Sequence, residues 1–222
     1  MSRIRAIIFD VGGTLIYPVD PVGETYARFA QAHGVRFSAD AATLAFSHAL
    51  NLPRPKGTVP SNGNDRAWWK QLVRHSLPAE AFTGTAAFEI FFEEVYVHYA
   101  KPEAWGVYPE VLEVFEALRD HAVDLAVLTN WDARLHPILD GHGLGELIQH
   151  RFISAELGWE KPDPAIYRHV SDVLRLQPEA LLCVGDDARN DVEGPRKAGW
   201  RAVQIERPKH DLWAAVRAVT KR

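Results

Sequence analysis

Short apolar runs that end in polar or glycine-containing turns form the clearest pattern along the chain. They are rich in Ile, Val and Leu and comprise residues 6–9, 125–128, 181–184 and 202–205. Such runs are typical of strands buried on both faces of a parallel sheet. Amphipathic stretches alternate with them, at residues 109–121, 134–141, 164–174 and 192–198. This alternation predicts a Rossmann-like α/β core with a doubly wound parallel sheet. Within it, Asp163-Pro164 predicts a helix start and Ala198-Gly199 a helix end.

From about residue 17 to about residue 105 the alternation is absent and helical patterns take its place. They cover residues 24–33, 39–50, 65–76 and 86–99. The sequence therefore predicts an α-helical cap domain at 17–105, inserted into a core domain formed by 1–16 and 106–222. The segment 52–64 contains prolines and glycines and is predicted to connect two cap helices. Aromatic side chains recur here at helical spacing, which favours core packing over a substrate pocket: Trp68, Trp69, Phe88, Phe91, Phe92, Tyr96 and Tyr99.

Composition and charge narrow the classes of partner. The 222 residues carry a formal net charge of −4, and the chain has no long Lys/Arg run. This speaks against nucleic acid or an anionic membrane and favours a small-molecule partner. The apolar run 6–9 is too short for a signal peptide or a spanning helix, so we expect a cytoplasmic protein. The single cysteine, Cys183, lies in an apolar run and is predicted to be a buried strand residue.

Polar residues that follow the predicted strands are the candidates for chemistry, because ligands of open α/β sheets bind beyond the carboxyl ends of the strands. Each set alone is compatible with a turn or a helix cap. Together they gather several carboxylates at one sheet edge, where a divalent cation would relieve their repulsion. The sets after strands are Asp10 with Gly12, Thr129-Asn130, and Asp186-Asp187 with Asp191, and Lys161 joins them from a position just before a predicted helix.

These segments resemble the four motifs of the haloacid dehalogenase (HAD) superfamily. The matching stretches are FDVGGTL at 9–15, LTN at 128–130, EKPDPAIY at 160–167 and VGDDARND at 184–191. The resemblance is closest to the dehalogenase-like hydrolases of subfamily I, in which a helical cap is inserted after the first motif. The predicted insert lies at that place in this chain.

The resemblance implies a role for each candidate residue. Asp10 would be the nucleophile that forms an aspartyl-phosphate. Thr129 would donate its hydroxyl to the phosphoryl group, with Asn130 as a neighbouring amide donor, and Lys161 would hold both Asp10 and the phosphoryl group. Asp10, Asp186 and the backbone carbonyl of Gly12 would bind Mg²⁺. Asp191 would lie next to these ligands, and Asp187 is a further candidate there.

One position departs from the phosphatase pattern. Phosphatases of this superfamily usually carry an aspartate two positions after the nucleophile as general acid, and this chain has Gly12. Such a group contributes about 10²- to 10⁴-fold to the rate. We therefore expect slow hydrolysis of alkyl phosphates unless another residue substitutes. The candidates are Glu24, Asp132, His136 and Asp187.

The leading function is a Mg²⁺-dependent phosphatase of a small phosphorylated metabolite, acting as a monomer or homodimer. A metal-independent haloacid dehalogenase is one alternative. A phosphonate hydrolase with a Schiff-base lysine, for which the insert offers Lys56 and Lys70, is another. The third is a weakly active phosphate-binding regulatory protein.

Overall fold

The computed structural model describes residues 3–52, 54–55, 57–82, 84–207 and 211–220. The strands are β1 (Ala6–Phe9), β2 (Ile16–Pro18), β3 (Trp105–Val107), β4 (Asp124–Thr129), β5 (His150–Ile153), β6 (Leu181–Gly185) and β7 (Arg201–Gln204). The α-helices are α1 (Val22–Ala32), α2 (Ala39–Leu50), α3 (Arg66–His75), α4 (Thr85–His98), α5 (Val111–Arg119), α6 (Leu135–Gly141), α7 (Ser154–Leu157), α8 (Pro164–Leu174), α9 (Gly194–Lys197) and α10 (Trp213–Thr220). Two 3₁₀ turns lie at Pro102–Ala104 and Pro178–Ala180, and a π-helix lies at Ala188–Glu193.

The main sheet has five parallel strands in the order β5-β4-β1-β6-β7. Every side chain of the central strand β1 is buried, as the apolar run predicts. On one face Ile8 and neighbouring strand residues pack against Tyr167 of α8. On the other face the ring of Phe9 lies 5.1 Å from that of Phe115 in α5. This confirms the predicted parallel α/β sheet with helices on both faces, and Cys183 is buried in β6.

Two parts of the sheet region differ from the prediction. Strand β5 was not predicted, because its first residues, His150 and Arg151, are polar and only Phe152 and Ile153 are buried. The helix predicted from 192 begins instead as the π-helix at Ala188. The carboxylate of Asp187 caps this earlier start by accepting a hydrogen bond from the Asn190 N–H at 2.6 Å.

The two helix boundaries predicted from capping residues, at Asp163-Pro164 and Ala198-Gly199, agree with the structure. Asp163 accepts a hydrogen bond from the Ala165 N–H at 2.9 Å and caps α8, with Pro164 as its first residue. The end predicted at Ala198-Gly199 is also found, because α9 stops at Lys197 and Gly199 has a φ of +86°. Side-chain capping and a left-handed glycine are local signals, which is why sequence reasoning placed both ends.

Contacts divide the chain into two units. One consists of Pro18–Thr58 and Asp65–Gly106, and the other contains the α/β sheet together with Val59–Asn64. The predicted insert 17–105 is therefore not a single block. Its segment 59–64 joins the α/β unit, since the Gly63 N–H donates to the Ala155 carbonyl at 2.8 Å and the Ala133 N–H donates to the Gly63 carbonyl at 3.0 Å. These backbone bonds link residues far apart in sequence and have no local signature.

The helical unit has its own apolar core. Phe88, Phe91 and Phe92 of α4 are buried there, and Trp69, Tyr96 and Tyr99 pack against the cluster. This confirms that these aromatic residues form a core. Among the described residues, none of the helices combines the length and the apolar character needed to cross a bilayer.

Candidate active site

Three neighbouring strands bring the candidate residues to one edge of the sheet. Asp10 follows β1, Thr129 ends β4 and Asp186 follows β6, and β1 lies between the other two strands. The Asp10 N–H donates to the Val184 carbonyl at 2.9 Å, which continues the hydrogen-bond ladder between β1 and β6 up to Asp10. Thr129 is 2% exposed. The parallel register thus places carboxylate and hydroxyl groups beyond the same ends of the sheet.

Lys161 is the centre of the charge network. Its ammonium donates to Oδ1 of Asp10 at 2.8 Å and to Oδ1 of Asp191 at 2.6 Å, and its side chain is 2% exposed. Burial favours the neutral amine, but the carboxylates of Asp10 and Asp191 outweigh it and raise the pKa of Lys161 well above its ordinary value. Lys161 is therefore a fixed cation between two carboxylates.

Asn130 holds the backbone of Lys161. Its side-chain Oδ1 accepts from the Lys161 N–H at 2.7 Å, and its Nδ2 donates to the Lys161 carbonyl at 2.9 Å. From the resemblance, the Asn130 side-chain amide was expected next to the phosphoryl group. In the structure it binds the backbone of Lys161. Asn130 and Lys161 are 31 residues apart, so no local pattern predicts this pair.

Asp10, Asp186 and Asp191 form a compact carboxylate group. One oxygen from each lies within 4.8 Å of the others, a set that can hold a metal ion. Partial burial, followed by the charge of Asp10, raises the pKa of Asp186 to about 6. Burial also raises the pKa of Asp191, against the opposing effect of the Lys161 ammonium. A hard divalent cation with oxygen ligands suits this donor set and would favour the ionised carboxylates.

The turn after β1 supports Asp186 directly. The Thr14 hydroxyl donates to Asp186 Oδ1 at 3.2 Å. Gly13 has a φ of +80°, and a Cβ at this residue would lie 2.5 Å from Asp186 Oδ2. Only glycine allows the carboxylate to approach the turn so closely. The motif FDVGGTL contained both residues, but sequence reasoning assigned neither of them a contact.

Asp191 is held by hydrogen bonds of its own segment, residues 187–191. Its Oδ2 accepts from the Asp187 N–H at 3.1 Å, while the Asp187 carboxylate itself caps the π-helix. The phenol of Tyr167 donates to the Asn190 carbonyl at 2.6 Å, which fixes the same segment. Asp191 is 1% exposed. Asp187 is thus a capping and backbone partner in this structure, outside the group of three carboxylates.

The space beside Gly12 is filled by Trp131. A Cβ at Gly12 would lie 3.2 Å from Cζ3 of the indole, so a larger residue requires the ring to move. The Ser154 hydroxyl holds the Trp131 backbone at two points. It accepts from the Trp131 N–H and donates to the Trp131 carbonyl, both at 3.1 Å. An apolar ring edge therefore lies against position 12, where the resemblance leads one to expect a general acid.

The other candidate acids have structural partners. Asp132 is fully buried and accepts from the Arg134 N–H at 3.1 Å and from its Nε at 2.9 Å. His136 Nε2 lies 2.8 Å from Glu156 Oε1. Asp187 caps the π-helix. Asp132, His136 and Asp187 thus each have a structural contact, and none of the three is assigned as the general acid. Glu24 belongs to the helical unit.

The carboxyl edge of the parallel sheet thus carries the buried Asp10 and Asp191, the exposed Asp186 and a buried lysine that pairs with the first two. This arrangement is compatible with hydrolytic chemistry at a carboxylate. A sequence model described as haloacid dehalogenase-like hydrolase matches residues 4–199. The chain belongs to this family of hydrolases.

Curated relatives agree with the family. The chain is 29% identical over 209 residues to haloacid dehalogenase-like hydrolase domain-containing protein 3 of Homo sapiens, covering 93% of this chain and 83% of the relative. It is 30% identical over 206 residues to the Mus musculus protein of the same name, covering 91% and 82%.

Solved structures share the fold. An L-2-haloacid dehalogenase from Xanthobacter autotrophicus has a TM-score of 0.69 and 19% identity, over 98% of this chain and 84% of that one. A HAD phosphatase from Thermococcus onnurineus has a TM-score of 0.67 and 21% identity, over 98% of each chain. At these identities the similarity establishes the fold and leaves open the choice between the two reactions.

Proposed function

We propose that the protein is a Mg²⁺-dependent phosphatase of small phosphorylated metabolites, with Asp10 as the nucleophile. The observation that carries the proposal is the carboxylate group of Asp10, Asp186 and Asp191, neutralised in part by Lys161. Mg²⁺ bound to Asp10, Asp186 and the Gly12 carbonyl would add positive charge beside the phosphoryl oxygens. We also propose that the protein acts in the cytoplasm as a monomer or homodimer.

The protein's own groups suit a two-step transfer. The Asp10 carboxylate attacks phosphorus, the bond to the leaving oxygen breaks, and the alcohol product takes a proton from the surroundings. Water then hydrolyses the aspartyl-phosphate and releases inorganic phosphate. Lys161 holds the Asp10 carboxylate in place through a hydrogen bond of 2.8 Å, and the Thr129 hydroxyl lies at the edge where a phosphoryl oxygen would bind. Fixed positive charge of this kind stabilises the developing transition state.

Substrates with good leaving groups fit this site best. Gly12 offers no proton, and the edge of Trp131 lies against it. A leaving group of low pKa needs no proton in the transition state, so aryl and acyl phosphates should react faster than alkyl phosphates.

The test compares the wild-type protein with Asp10→Asn on p-nitrophenyl phosphate, acetyl phosphate and glycerol phosphate, with Mg²⁺ or with EDTA. Asp172→Asn, which alters an exposed carboxylate on α8, is the matched control. We expect Mg²⁺-dependent release of phosphate by the wild type and the control, and a loss of at least ~10³-fold in Asp10→Asn. Activity that survives in Asp10→Asn would refute the assignment of the nucleophile.

Other outcomes would identify the alternatives. Release of halide from a 2-haloacid in the presence of EDTA would indicate a dehalogenase. Mg²⁺ binding without turnover of any substrate would indicate the regulatory protein. For a phosphonate hydrolase, Lys56 lies outside the described residues, and Lys70 pairs with Glu89 at 2.8 Å. Borohydride trapping of a lysine adduct with a phosphonoaldehyde would support that reaction.

A further inference from the structure

Arg207 makes a set of contacts that link the segment after β7 to the turn after β1. Its Nη2 donates to the Thr14 carbonyl at 2.8 Å, and its Nη1 donates to Glu110 Oε1. Its guanidinium lies 3.7 Å from the centroid of the Tyr108 ring. The side chains of Arg207 and Glu110 are 22% and 16% exposed. Arg207 lies beyond residues 4–199, the range that the family model matches.

The turn held by Arg207 is the one that contacts Asp186. Thr14 accepts from Arg207 with its carbonyl and donates from its hydroxyl to Asp186 Oδ1 at 3.2 Å. Leu15, the next residue, is fixed as well, because its carbonyl accepts from the Tyr108 N–H at 3.1 Å. Movement of Thr14 would therefore be transmitted directly to the carboxylate of Asp186.

The same C-terminal segment also holds the backbone around Asp186. The Gln204 side-chain amide donates to the Asp186 carbonyl at 3.2 Å, and the Ile205 N–H donates to the Gly185 carbonyl at 2.8 Å. Asp186 is thus fixed through its backbone by residues 204–205 and through its carboxylate by the turn that Arg207 holds. Groups that orient a metal ligand in this way commonly change metal affinity when they are removed.

We propose that Arg207 is a positioning residue that sets the Mg²⁺ affinity of the Asp10–Asp186–Asp191 group by fixing Thr14. This inference rests on the metal site of the proposed function. For a variant that lacks Arg207, it predicts a change in Mg²⁺ affinity opposite to the change that charge alone would cause. Arg207 is joined to Asp186 through Thr14, and any effect of its positive charge on Mg²⁺ is repulsive, so its removal would strengthen binding if only charge mattered. If Arg207 acts through position, its removal weakens binding.

The experiment measures the dissociation constant of Mg²⁺ alone, by isothermal titration calorimetry without substrate. For Arg207→Gln we expect an increase of about tenfold or more, in the range found when groups supporting metal ligands are lost. Arg207→Lys should recover part of the affinity, because it keeps a donor for the Thr14 carbonyl. Arg217→Gln is the matched control, since Arg217 forms an exposed pair with Asp211 at 3.5 Å.

An unchanged or lower dissociation constant in folded Arg207→Gln would overturn the inference while leaving the proposed function intact. If that variant does not fold, Arg207→Lys carries the test, because it keeps the positive charge but has a single nitrogen in place of the two that bond Glu110 and the Thr14 carbonyl. A rise of a few-fold is then expected, and no change overturns the inference. A wild-type protein that binds no Mg²⁺ would overturn both this inference and the metal part of the proposed function.

Discussion

The Nζ of Lys161 lies 2.6 Å from Oδ1 of Asp191, and both side chains are almost fully buried. The same ammonium also reaches Asp10. Removal of one partner from a buried ion pair leaves an uncompensated charge, which is far more costly than the loss of an exposed pair.

Lys161→Met should therefore lower both stability and activity. We expect a loss of about 3–5 kcal/mol in the free energy of unfolding, measured by urea denaturation with EDTA present. Lys197→Met is the control, since Lys197 forms an exposed pair with Glu193 at 3.6 Å. Equal stability of the two variants would contradict the view that Lys161 neutralises the carboxylate group.

The metal-free protein should lose stability as the pH rises through the range set by Asp186. The pKa of Asp186 in the folded protein is raised to about 6, against about 3.9 in an unfolded chain. Between these values the folded protein binds more protons than the unfolded chain, so its stability falls with rising pH. Melting temperatures measured from pH 4 to pH 7 in EDTA should decrease accordingly.

Asp186→Asn separates this effect from the rest of the protein. At pH 8 the variant should melt at a higher temperature than the metal-free wild type, because it lacks the negative charge that partial desolvation and the neighbouring Asp10 disfavour. It should also lose most of the stabilisation that Mg²⁺ gives the wild type. Asp172→Asn should change neither. A lower melting temperature for Asp186→Asn in EDTA would show that the carboxylate stabilises the metal-free fold.

Restoring an acid at position 12 requires a change at position 131. Gly12→Asp alone should gain little, because its Cβ would lie 3.2 Å from the Trp131 ring. Gly12→Asp with Trp131→Leu should raise kcat/KM for glycerol phosphate by about 10-fold or more, since general acid catalysis contributes about 10²–10⁴ when the acid is well placed. The matched comparison is Trp131→Leu alone, assayed on both glycerol phosphate and p-nitrophenyl phosphate.

A selective gain on the alkyl phosphate is the expected signature of a restored acid. A comparable gain in the single variant Gly12→Asp would show that the indole moves aside easily. Equal gains on both phosphates would point to improved binding in place of proton transfer.

Helix capping gives a stability prediction independent of the site. Asp163→Ala removes the acceptor for the Ala165 N–H at the start of α8. The free energy of unfolding should fall by about 1 kcal/mol, within the range measured for N-cap losses. Asp163→Asn, which keeps an acceptor oxygen, should retain most of that stability in the same urea experiment. An Asp163→Ala variant as stable as the wild type would refute the capping role.

The sequence was most informative where the signal is local. The strands β1, β4, β6 and β7 follow from apolar runs, and α2 and α8 were placed at their observed bounds. The edge strand β5 lacked such a run because it begins with His150 and Arg151. The π-helix was missed because its stretch of polar residues carries no apolar period.

The site was predictable as a set of residues but not as a set of contacts. Asp10, Asp186 and Asp191 are predicted from their positions after strands, and Lys161 from its position before a helix. The parallel register of β1 and β6 brings the ends of these two strands together. The contacts of Asn130 with Lys161, of Trp131 with Gly12 and of Arg207 with Thr14 depend on tertiary packing. No periodicity or spacing encodes them.

The contact between Gly12 and Trp131 also constrains how this protein can evolve. A carboxylate at position 12 meets the indole, while a smaller residue at position 131 alone leaves a cavity where a buried ring had packed. The effect of an acid at position 12 therefore depends on the residue at position 131. The two positions are coupled by epistasis, and a gain on alkyl phosphates requires both to change.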